Sequence, residues 1–515
     1  MIFSFSLLLL LTVGLAVAYE PTWESLDSRE LPQWYADAKV CGVGEWIFAA
    51  KHLVCSLFSL RPLPRQVGIF LHWGVFSVPS FGSEWFWQYW QGKKLKDYVA
   101  YVEKTEKPNF AYADYAHRFD ATLYDPSYWA ETFAKAGAQY VVLTSKHHEG
   151  FCNWDSRSIG TTWNWNSMDV GPRRDLVGEL AEAVRDPSVK SPQTNKPLKF
   201  GVYHSLFEWF NPMLAADKST NMTSHTFVDT KTMPELFQLV EKYKPEVIWS
   251  DGAWDGDSDY WRAKEFLAWL ATNSSVKDTV VWNDRWGRDA GCKHGSFLTC
   301  QDRYLPNQTI EHKWENCMTL DKTSWGWNRR ATYANYMTTK ELVDQTVETV
   351  ARNGNILINV GPAADGTISP MFIDRLLSLG NWLQVNGQAI YGSRYWKVCD
   401  QDENNEVFYT RDDELLYAFV TKWPSDNQVP LMCPDVSENT KAFMLGVKDQ
   451  RGLAEVSTNK DSSLRNKDSQ PRVTITLPNL NPSEVPCDHV WVIAMTAVRN
   501  LDGDPIQSVK KQTVL

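Results

Sequence analysis

The sequence lacks the features that mark several common functional classes. It has no run of basic residues, and its 515 residues carry a formal net charge of −10, which argues against a nucleic-acid partner. It also contains no HExxH zinc motif, no glycine-rich phosphate loop and no GxSxG nucleophile elbow. Its chemistry must therefore be sought outside these motifs.

Long apolar runs are scarce, and the one at the N-terminus predicts a signal peptide over residues 1–18. Leu7 to Leu11 form its apolar centre, and Ala16-Val17-Ala18 resembles a cleavage site. The run is too short to favour a membrane span, and no second candidate span follows. Secretory entry permits disulfides and N-glycosylation. The acceptor sequons begin at Asn221, Asn273 and Asn307.

Cysteine is also sparse, and its nine residues form an odd number, so at least one is unpaired or pairs between chains. Three of them, Cys292, Cys300 and Cys317, crowd one loop-rich region. We expect two of these three to form a disulfide. A zinc site is disfavoured because Cys-x7-Cys is not a usual ligand spacing.

Tryptophan, by contrast, is abundant, with 25 residues. Aromatic planes stack on the C–H faces of sugar rings, so this composition favours a carbohydrate ligand. Packing in the core is the competing explanation, and it accounts for most of these side chains.

The pattern of apolar runs predicts a (β/α) barrel. Val247 to Trp249 read as a buried strand that ends at Asp251, between helical runs over 233–243 and 260–270. Similar apolar strands, each ending in polar residues, recur along the chain to about residue 388. Strands this apolar are buried on both faces, so an eight-stranded barrel with some irregular units fits best. The remaining predicted strands are 67–71, 139–144, 199–203, 279–282 and 355–360.

After residue 388 the pattern changes. Short alternating segments separated by Asn, Asp, Ser and Pro loops predict a C-terminal antiparallel β-sandwich over residues 389–515. The barrel domain would then span residues 19–388.

The polar ends of the barrel strands should converge on one face, because active sites of such barrels lie at the carboxyl ends of the strands. The donors among them suit sugar hydroxyls. Metal binding is a weaker reading, since adjacent histidines on a strand point apart. These strand-end residues are His72, His147, His148, Tyr203, His204, Asp251, Asp284 and Arg285.

Several long motifs carry a family resemblance. HWGVFSVPSFGSEWFW, YVVLTSKHHEGFCNWDS, WNWNSMDVGPRRDLVGEL, YHSLFEWFNP, IWSDG, NDRWG and NILINVGPAADGTI resemble the α-L-fucosidases of glycoside hydrolase family 29, especially the animal lysosomal and secreted members. The resemblance covers roughly residues 20–498, apart from residues 40–66.

The resemblance implies a retaining exo-α-L-fucosidase without a cofactor. Asp251 matches the aspartate of the family's WSDG motif, which implies that it is the nucleophile. Retention requires two carboxyl groups about 5–5.5 Å apart. The residues that match fucose-binding positions are His72, Glu84, Trp85, His147, His148, Tyr203, Trp249 and Arg285.

The acid/base residue is left open between two positions. In similar enzymes it lies on a variable loop after the nucleophile, where Asp302 and Glu315 both match candidates. Asp302 is favoured slightly because the neighbouring Cys300 could anchor its loop. A working acid needs its pKa raised by burial or by the nucleophile's charge.

The resemblance further implies terminal α-L-fucose on glycoproteins, glycolipids and oligosaccharides as the substrate, and a lysosomal or secreted location. A homotetramer is common among similar enzymes. Two other functions stay open: a secreted fucose-binding protein with little or no catalysis, and a glycosidase on the same barrel with a different sugar preference.

Residues 40–66 do not fit this picture. These 27 residues enter at the start of the first barrel strand, are rich in apolar side chains and add Cys41 and Cys55. Every Val codon begins with GT, and Gln can be encoded by CAG, so a segment from Val40 to Gln66 can begin and end like an intron. Our hypothesis is an unspliced intron in the gene model. The alternative is a genuine insertion at the bottom of the barrel.

Overall fold

A computed structural model describes residues 18–35, 67–402, 406–458 and 471–503. The predicted signal peptide up to residue 17 and the anomalous segment 40–66 lie outside these ranges.

Seven parallel strands form a curled sheet in the order β5–β4–β3–β2–β1–β7–β6. Nearly all of their residues are buried, because helices cover the outside and side chains fill the inside. The strands are β1 Val67–Leu71, β2 Tyr140–Lys146, β3 Lys199–Ser205, β4 Val247–Asp251, β5 Val281–Trp282, β6 Trp314–Thr319 and β7 Gly354–Val360.

A short segment between β5 and β6 closes the sheet into a barrel. The N–H of Ser296 donates to Trp282 on β5 (2.9 Å), and the N–H of Leu298 donates to Lys313 (2.9 Å). Leu298 is also bonded to β6 itself, because the N–H of Glu315 donates to the Leu298 carbonyl oxygen (2.8 Å). The predicted barrel with irregular units is therefore confirmed, and its eighth position is a single bridging residue rather than a full strand.

Helices alternate with most of the strands. Asp125 caps α3 by accepting the N–H groups of Ser127 and Tyr128, as an aspartate before a first-turn proline should. The β5–β6 connection, residues 283–313, contains no helix. The helices are α1 Trp23–Asp27, α2 Lys96–Thr105, α3 Pro126–Lys135, α4 Leu176–Arg185, α5 Pro212–Ser219, α6 Met233–Tyr243, α7 Ala263–Thr272, α8 Thr339–Ala351, α9 Pro370–Asn386 and α10 Gln388–Tyr391.

Strand β6 corrects one expectation. Glu315 was expected on a loop, but it lies on β6, which pairs along its whole length with β7, and it is fully buried. The sequence of β6, WENCMT, carries too many polar residues to read as a buried strand. Its glutamate can be buried because residues on other strands, Tyr140 and Trp249, form hydrogen bonds with it.

The C-terminal residues form an antiparallel sheet of eight strands, as predicted in type. Leu416, Leu431 and Ile475, from three separate strands, belong to one buried cluster, so the two halves of the sheet share a core. In the order β8–β9–β10–β15–β12–β13–β14–β11, the strands are β8 Arg394–Tyr395, β9 Val407–Arg411, β10 Leu415–Val420, β11 Gln428–Leu431, β12 Ala442–Met444, β13 Leu453–Thr458, β14 Val473–Thr476 and β15 Trp491–Thr496.

The cysteines follow the sequence argument. Cys292 and Cys300 form a disulfide, as expected for two of the three clustered cysteines, while Cys317 is buried and unpaired. A second disulfide, Cys399–Cys433, lies in the C-terminal domain. Within the described ranges, no helix is long and apolar enough to cross a membrane.

Candidate active site

A cavity of about 260 Å³ opens at the carboxyl ends of the barrel strands. All eight predicted fucose-binding residues line it, together with Asp251 and Asp302, whereas Glu315 does not. The complete lining is Phe70, His72, Glu84, Trp85, Tyr89, His147, His148, Tyr203, Trp249, Asp251, Trp254, Arg285, Asp302 and Trp325.

Asp251, the last residue of β4, is held by groups from three neighbouring strand ends. Its Oδ2 accepts a hydrogen bond from the Tyr203 hydroxyl (2.8 Å) and lies 3.6 Å from Nε2 of His148. Its Oδ1 accepts from Nη1 of Arg285 (3.3 Å). The side chain is 13% exposed, so it is fixed in place but still reachable from the cavity.

Arg285 joins the two candidate catalytic carboxylates. Its Nη2 donates to Oδ1 of Asp302 (2.7 Å), while Nη1 contacts Asp251. The guanidinium lies 4.7 Å above the centre of the Trp249 ring. Burial by itself would lower the pKa of Arg285, but the charges of Asp251 and Asp302 raise it above its ordinary value, so Arg285 is a permanent cation between them.

The loop that carries Asp302 is anchored by Asp284. The Oδ2 of this fully buried carboxylate accepts the N–H of Cys292 (2.8 Å) and the N–H of Cys300 (3.0 Å). Its Oδ1 accepts the N–H of Thr299 (2.9 Å). The Cys292–Cys300 disulfide adds a covalent tether to the same loop. The sequence placed Asp284 at a strand end but gave no sign of this supporting role.

His72 is neutral in this environment. Burial, and then the charge of the nearby His147, lowers the pKa of His72 to about 4. Its Nδ1 pairs with Oδ1 of Asn359 on β7 (2.7 Å). Burial also holds the pKa of His148 well below its ordinary value. A neutral imidazole has one donor and one acceptor nitrogen, which suits the hydroxyl groups of a sugar.

Glu84 is a buried carboxylate that supports the opposite wall of the cavity. Its Oε2 accepts the N–H of Trp325 (2.9 Å) and the Ser324 hydroxyl (3.2 Å). Trp325 in turn lies 5.2 Å from the His72 ring. Glu84 therefore lines the cavity and also holds the Trp325 side chain against it.

Glu315 occupies a different position, inside the barrel. Its Oε2 accepts from the Tyr140 hydroxyl (2.5 Å), and its Oε1 accepts from the indole N–H of Trp249 (2.9 Å). Burial raises the pKa of Glu315 to about 7. The carboxyl group thus has the raised pKa expected of an acid, but it faces protein donors rather than the cavity.

Four of the aromatic lining residues do not stand out in the sequence as binding residues. They are Phe70, Tyr89, Trp254 and Trp325. Trp254 lies 6.0 Å from Trp85 across the mouth and is 44% exposed. Nothing in the sequence separates it from the other tryptophans, because a sugar-binding ring and a core ring look alike until the fold is known.

Among the described residues, side chains of metal-ligating types come within binding distance of one another at Cys399, Asp402 and Cys433, outside the cavity. The two cysteines are joined to each other, so their sulfurs are not thiolate ligands. The cavity is thus built from carboxylates, imidazoles, one guanidinium and aromatic rings.

Comparison with known proteins places the chain in a family. The family model "Alpha-L-fucosidase" matches residues 63–388, and "Alpha-L-fucosidase C-terminal domain" matches residues 400–496. Tissue α-L-fucosidase of Rattus norvegicus is 43% identical over 500 residues, which is 96% of this chain and 97% of that protein. Plasma α-L-fucosidase of Homo sapiens is 43% identical over 485 residues, or 94% and 93% of the two chains.

The fold gives the same answer. The crystal structure of the Thermotoga maritima α-fucosidase matches with a TM-score of 0.69 and 28% identity, over 93% of this chain and all of that one. The match includes both the barrel and the C-terminal sheet. The chain therefore belongs to the α-L-fucosidase family and is a glycoside hydrolase.

Proposed function

We propose that the protein hydrolyses terminal α-L-fucosides with retention of configuration, using Asp251 as the nucleophile and Asp302 as the acid/base. The observation that carries this proposal is the bridge made by Arg285, which contacts Asp251 at 3.3 Å and Asp302 at 2.7 Å. Two carboxylates on neighbouring nitrogens of one guanidinium lie close together, and a short separation is what a retaining mechanism needs.

In the first step a carboxylate oxygen of Asp251 bonds to the anomeric carbon, and the glycosidic C–O bond breaks. The proton of Asp302 passes to the leaving oxygen, which departs as an alcohol. In the second step Asp302 takes a proton from water while the water oxygen attacks the anomeric carbon. The ester bond breaks, fucose leaves, and Asp251 is again a carboxylate.

Arg285 suits both halves of this cycle. In this mechanism Asp302 carries the proton before reaction and Asp251 is ionised, so Arg285 balances a single negative charge. In the intermediate Asp251 is a neutral ester and Asp302 is the carboxylate, so the local charge is unchanged. The Tyr203 hydroxyl, 2.8 Å from Asp251, stabilises the nucleophile in its ionised form.

Glu315 is the weaker acid candidate because both of its oxygens are already occupied by Tyr140 and Trp249. It is buried within the barrel and does not line the cavity. A general acid must come within hydrogen-bond reach of the leaving oxygen. A carboxyl group that lines the cavity can do so, and Asp302 lines it with a side chain that is 48% exposed.

The cellular setting is also part of the proposal. Relatives named tissue and plasma α-L-fucosidase support a lysosomal or secreted enzyme that acts on fucosylated glycans. The sequon asparagines Asn221, Asn273 and Asn307 are all exposed, as N-glycosylation requires. A homotetramer stays a prediction, to be tested by light scattering of the purified protein.

The test uses a panel of aryl α-glycosides and NMR of the first product. We expect hydrolysis of the α-L-fucoside well above that of the galactoside, with α-L-fucose appearing before mutarotation. Equal rates across the panel would favour the other glycosidase, and absence of turnover would favour the binding protein. Initial release of β-L-fucose would contradict retention.

A further inference from the structure

A second cavity, of about 420 Å³, lies on the outer side of β6. Asn316 and Met318 of β6 form its floor, and Glu341 and Gln345 of α8 form one side. Arg303, the residue directly after Asp302, forms the wall towards the fucose pocket. We call this cavity the α8 groove.

The groove exists because the barrel is irregular at this point. A regular unit would place a helix between β5 and β6, and that helix would pack beside α8. Here the β5–β6 connection contains no helix, so the flank of α8 is uncovered. Its groove-facing positions, Glu341, Asp344 and Gln345, are polar, which suits a hydrated or hydroxyl-rich ligand better than a packed helix.

A buried polar atom in the groove lacks a partner. Asn316 is 1% exposed, and its Nδ2 donates to the Thr349 hydroxyl (3.1 Å). Its Oδ1 has no hydrogen-bond partner among the described residues. A buried carbonyl oxygen without a donor is destabilising, and a hydrogen bond from a bound ligand would remove that penalty.

The groove and the fucose pocket share a wall. The Arg303 guanidinium lies 5.3 Å from the centre of the Trp325 ring, and Trp325 lines the fucose pocket. Thr319, at the edge of the groove, accepts from Nδ2 of Asn359 (3.1 Å), whose Oδ1 contacts His72. Arg303 and Thr319 therefore line the groove and also contact Trp325 and Asn359, which line or support the fucose pocket.

The chemistry of retention determines on which side the rest of the substrate lies. The nucleophile and the leaving oxygen are on opposite faces of the anomeric carbon, and the acid is beside the leaving oxygen. The aglycone therefore departs on the side of Asp302, and the next residue in the chain, Arg303, lines the α8 groove. We propose that the α8 groove binds the saccharide to which the fucose is attached, through hydrogen bonds from its hydroxyl groups.

This inference rests on the proposed function, and the experiment separates the two. The groove is blocked by Gln345→Trp, and the side chain is removed by Gln345→Ala in case the larger residue disturbs folding. Each variant is assayed on α-L-fucosyl fluoride, which has no aglycone to fill the groove, and on a fucosylated trisaccharide. The matched control is Gln384→Trp, because Gln384 is an exposed glutamine on another helix, α9.

We expect kcat/KM for the trisaccharide to fall at least about tenfold in Gln345→Trp and by less in Gln345→Ala. Both variants should keep the fluoride rate within about twofold of the wild type, and the control should match the wild type on both substrates. Unchanged trisaccharide kinetics, or equal losses on both substrates, would overturn the inference. Failure of the wild type to hydrolyse fucosyl fluoride would instead contradict the proposed function.

Discussion

Glu315 accepts a hydrogen bond from the indole N–H of Trp249 at 2.9 Å, and only the tryptophan lines the fucose pocket. The same indole ring lies beneath the guanidinium of Arg285. Glu315 therefore contacts the proposed catalytic carboxylates only indirectly, through the Trp249 ring against which Arg285 packs. This relationship separates the roles of the two candidate acids, Asp302 and Glu315.

Replacing the nucleophile should abolish turnover without unfolding the protein. We expect Asp251→Ala to lower kcat by at least about a thousandfold, because no covalent intermediate can form. Azide should enter the space vacated by the carboxylate and restore activity, giving the fucosyl azide of inverted configuration. Circular dichroism provides the folding control, and near-normal activity in the variant would refute the assignment.

Replacing the acid should harm poor leaving groups most. We expect Asp302→Asn to slow hydrolysis of an alkyl or oligosaccharide fucoside by about 100- to 10,000-fold. An aryl fucoside with an acidic phenol needs little protonation and should still form the intermediate.

Glu315→Gln serves as the matched comparison for that experiment. Its amide oxygen can still accept from Trp249, so we expect modest losses that do not depend on the leaving group. A strong leaving-group dependence confined to Glu315→Gln would show that Glu315, not Asp302, is the acid.

Glu315 should also leave a signature in the pH dependence of stability. Because burial raises the pKa of Glu315 to about 7, the folded protein holds a proton that the unfolded chain releases near pH 4.5, the ordinary pKa of a glutamate side chain. The stabilising contribution is therefore complete below that value and is lost as the pH rises through about 7.

The measurement is denaturant unfolding of the wild type and Glu315→Gln between pH 4.5 and 7.5. We expect the difference in unfolding free energy to change by up to about 1.4 kcal/mol per pH unit across this window. The comparison cancels other titrating groups, including His72. A difference independent of pH would contradict protonation of Glu315 in the folded state.

Much of this site was predictable because β1 to β4 and β7 are apolar runs with polar ends. His72, His148 and Asp251 follow directly from that pattern together with the convergence of parallel strands. The strand β6 was not predictable in the same way. Glu315 is buried there only because Tyr140, 175 residues away in the chain, supplies a donor, and such a partner is not visible in a local pattern.

The positions of loop residues were the second feature that could not be predicted from the sequence. The sequence named Asp302 but could not measure its distance from Asp251, because residues 283–313 have no periodic structure. Their path depends on Asp284, which accepts several backbone N–H groups of the loop. Hydrogen bonds of this kind fix an irregular loop without leaving a recurring sequence signal.

A buried ion network beside the site should dominate local stability. Lys146 lies 2.7 Å from Glu235 and 3.0 Å from Glu208, and all three side chains are almost fully buried. We expect Lys146→Met to lower the unfolding free energy by about 3–5 kcal/mol, because it leaves buried carboxylates undercompensated.

The control is Lys135→Met, which removes a pair with Glu131 whose two side chains are 63% and 57% exposed. An exposed pair of this kind contributes at most about 1 kcal/mol. Chemical denaturation of both variants provides the measurement. Similar losses in the two variants would mean that the network contributes no more than a surface pair.

Residues 40–66 can be tested by deletion. Tyr35 packs against Tyr140 with ring centres 6.4 Å apart, and Tyr140 is paired in register with Gly68 on β1. The chain therefore leaves and re-enters the described structure at the same end of the barrel. Residues 36–39 can span up to about 14 Å, and we expect them to join Tyr35 to Val67 without strain.

We therefore expect a chain that lacks residues 40–66 to fold and to match or exceed the full-length chain in yield and kcat/KM. Sequencing of the major transcript tests the intron hypothesis itself. Reads that retain all 27 codons would end it and leave a genuine insertion. If the chain that lacks residues 40–66 cannot fold, the segment is part of the mature protein.

Cys300, one half of the Cys292–Cys300 disulfide, lies two residues before Asp302, so the tether of this loop depends on the redox state of the compartment in which the chain matures. Disulfides form in the secretory pathway, whereas cysteine thiols are kept reduced in the cytosol. A chain synthesised in a reducing compartment would retain the barrel strands and Asp251, yet the loop presenting Asp302 would have lost its covalent tether. The covalent tether of the loop that carries the proposed acid therefore depends on oxidative maturation of the chain.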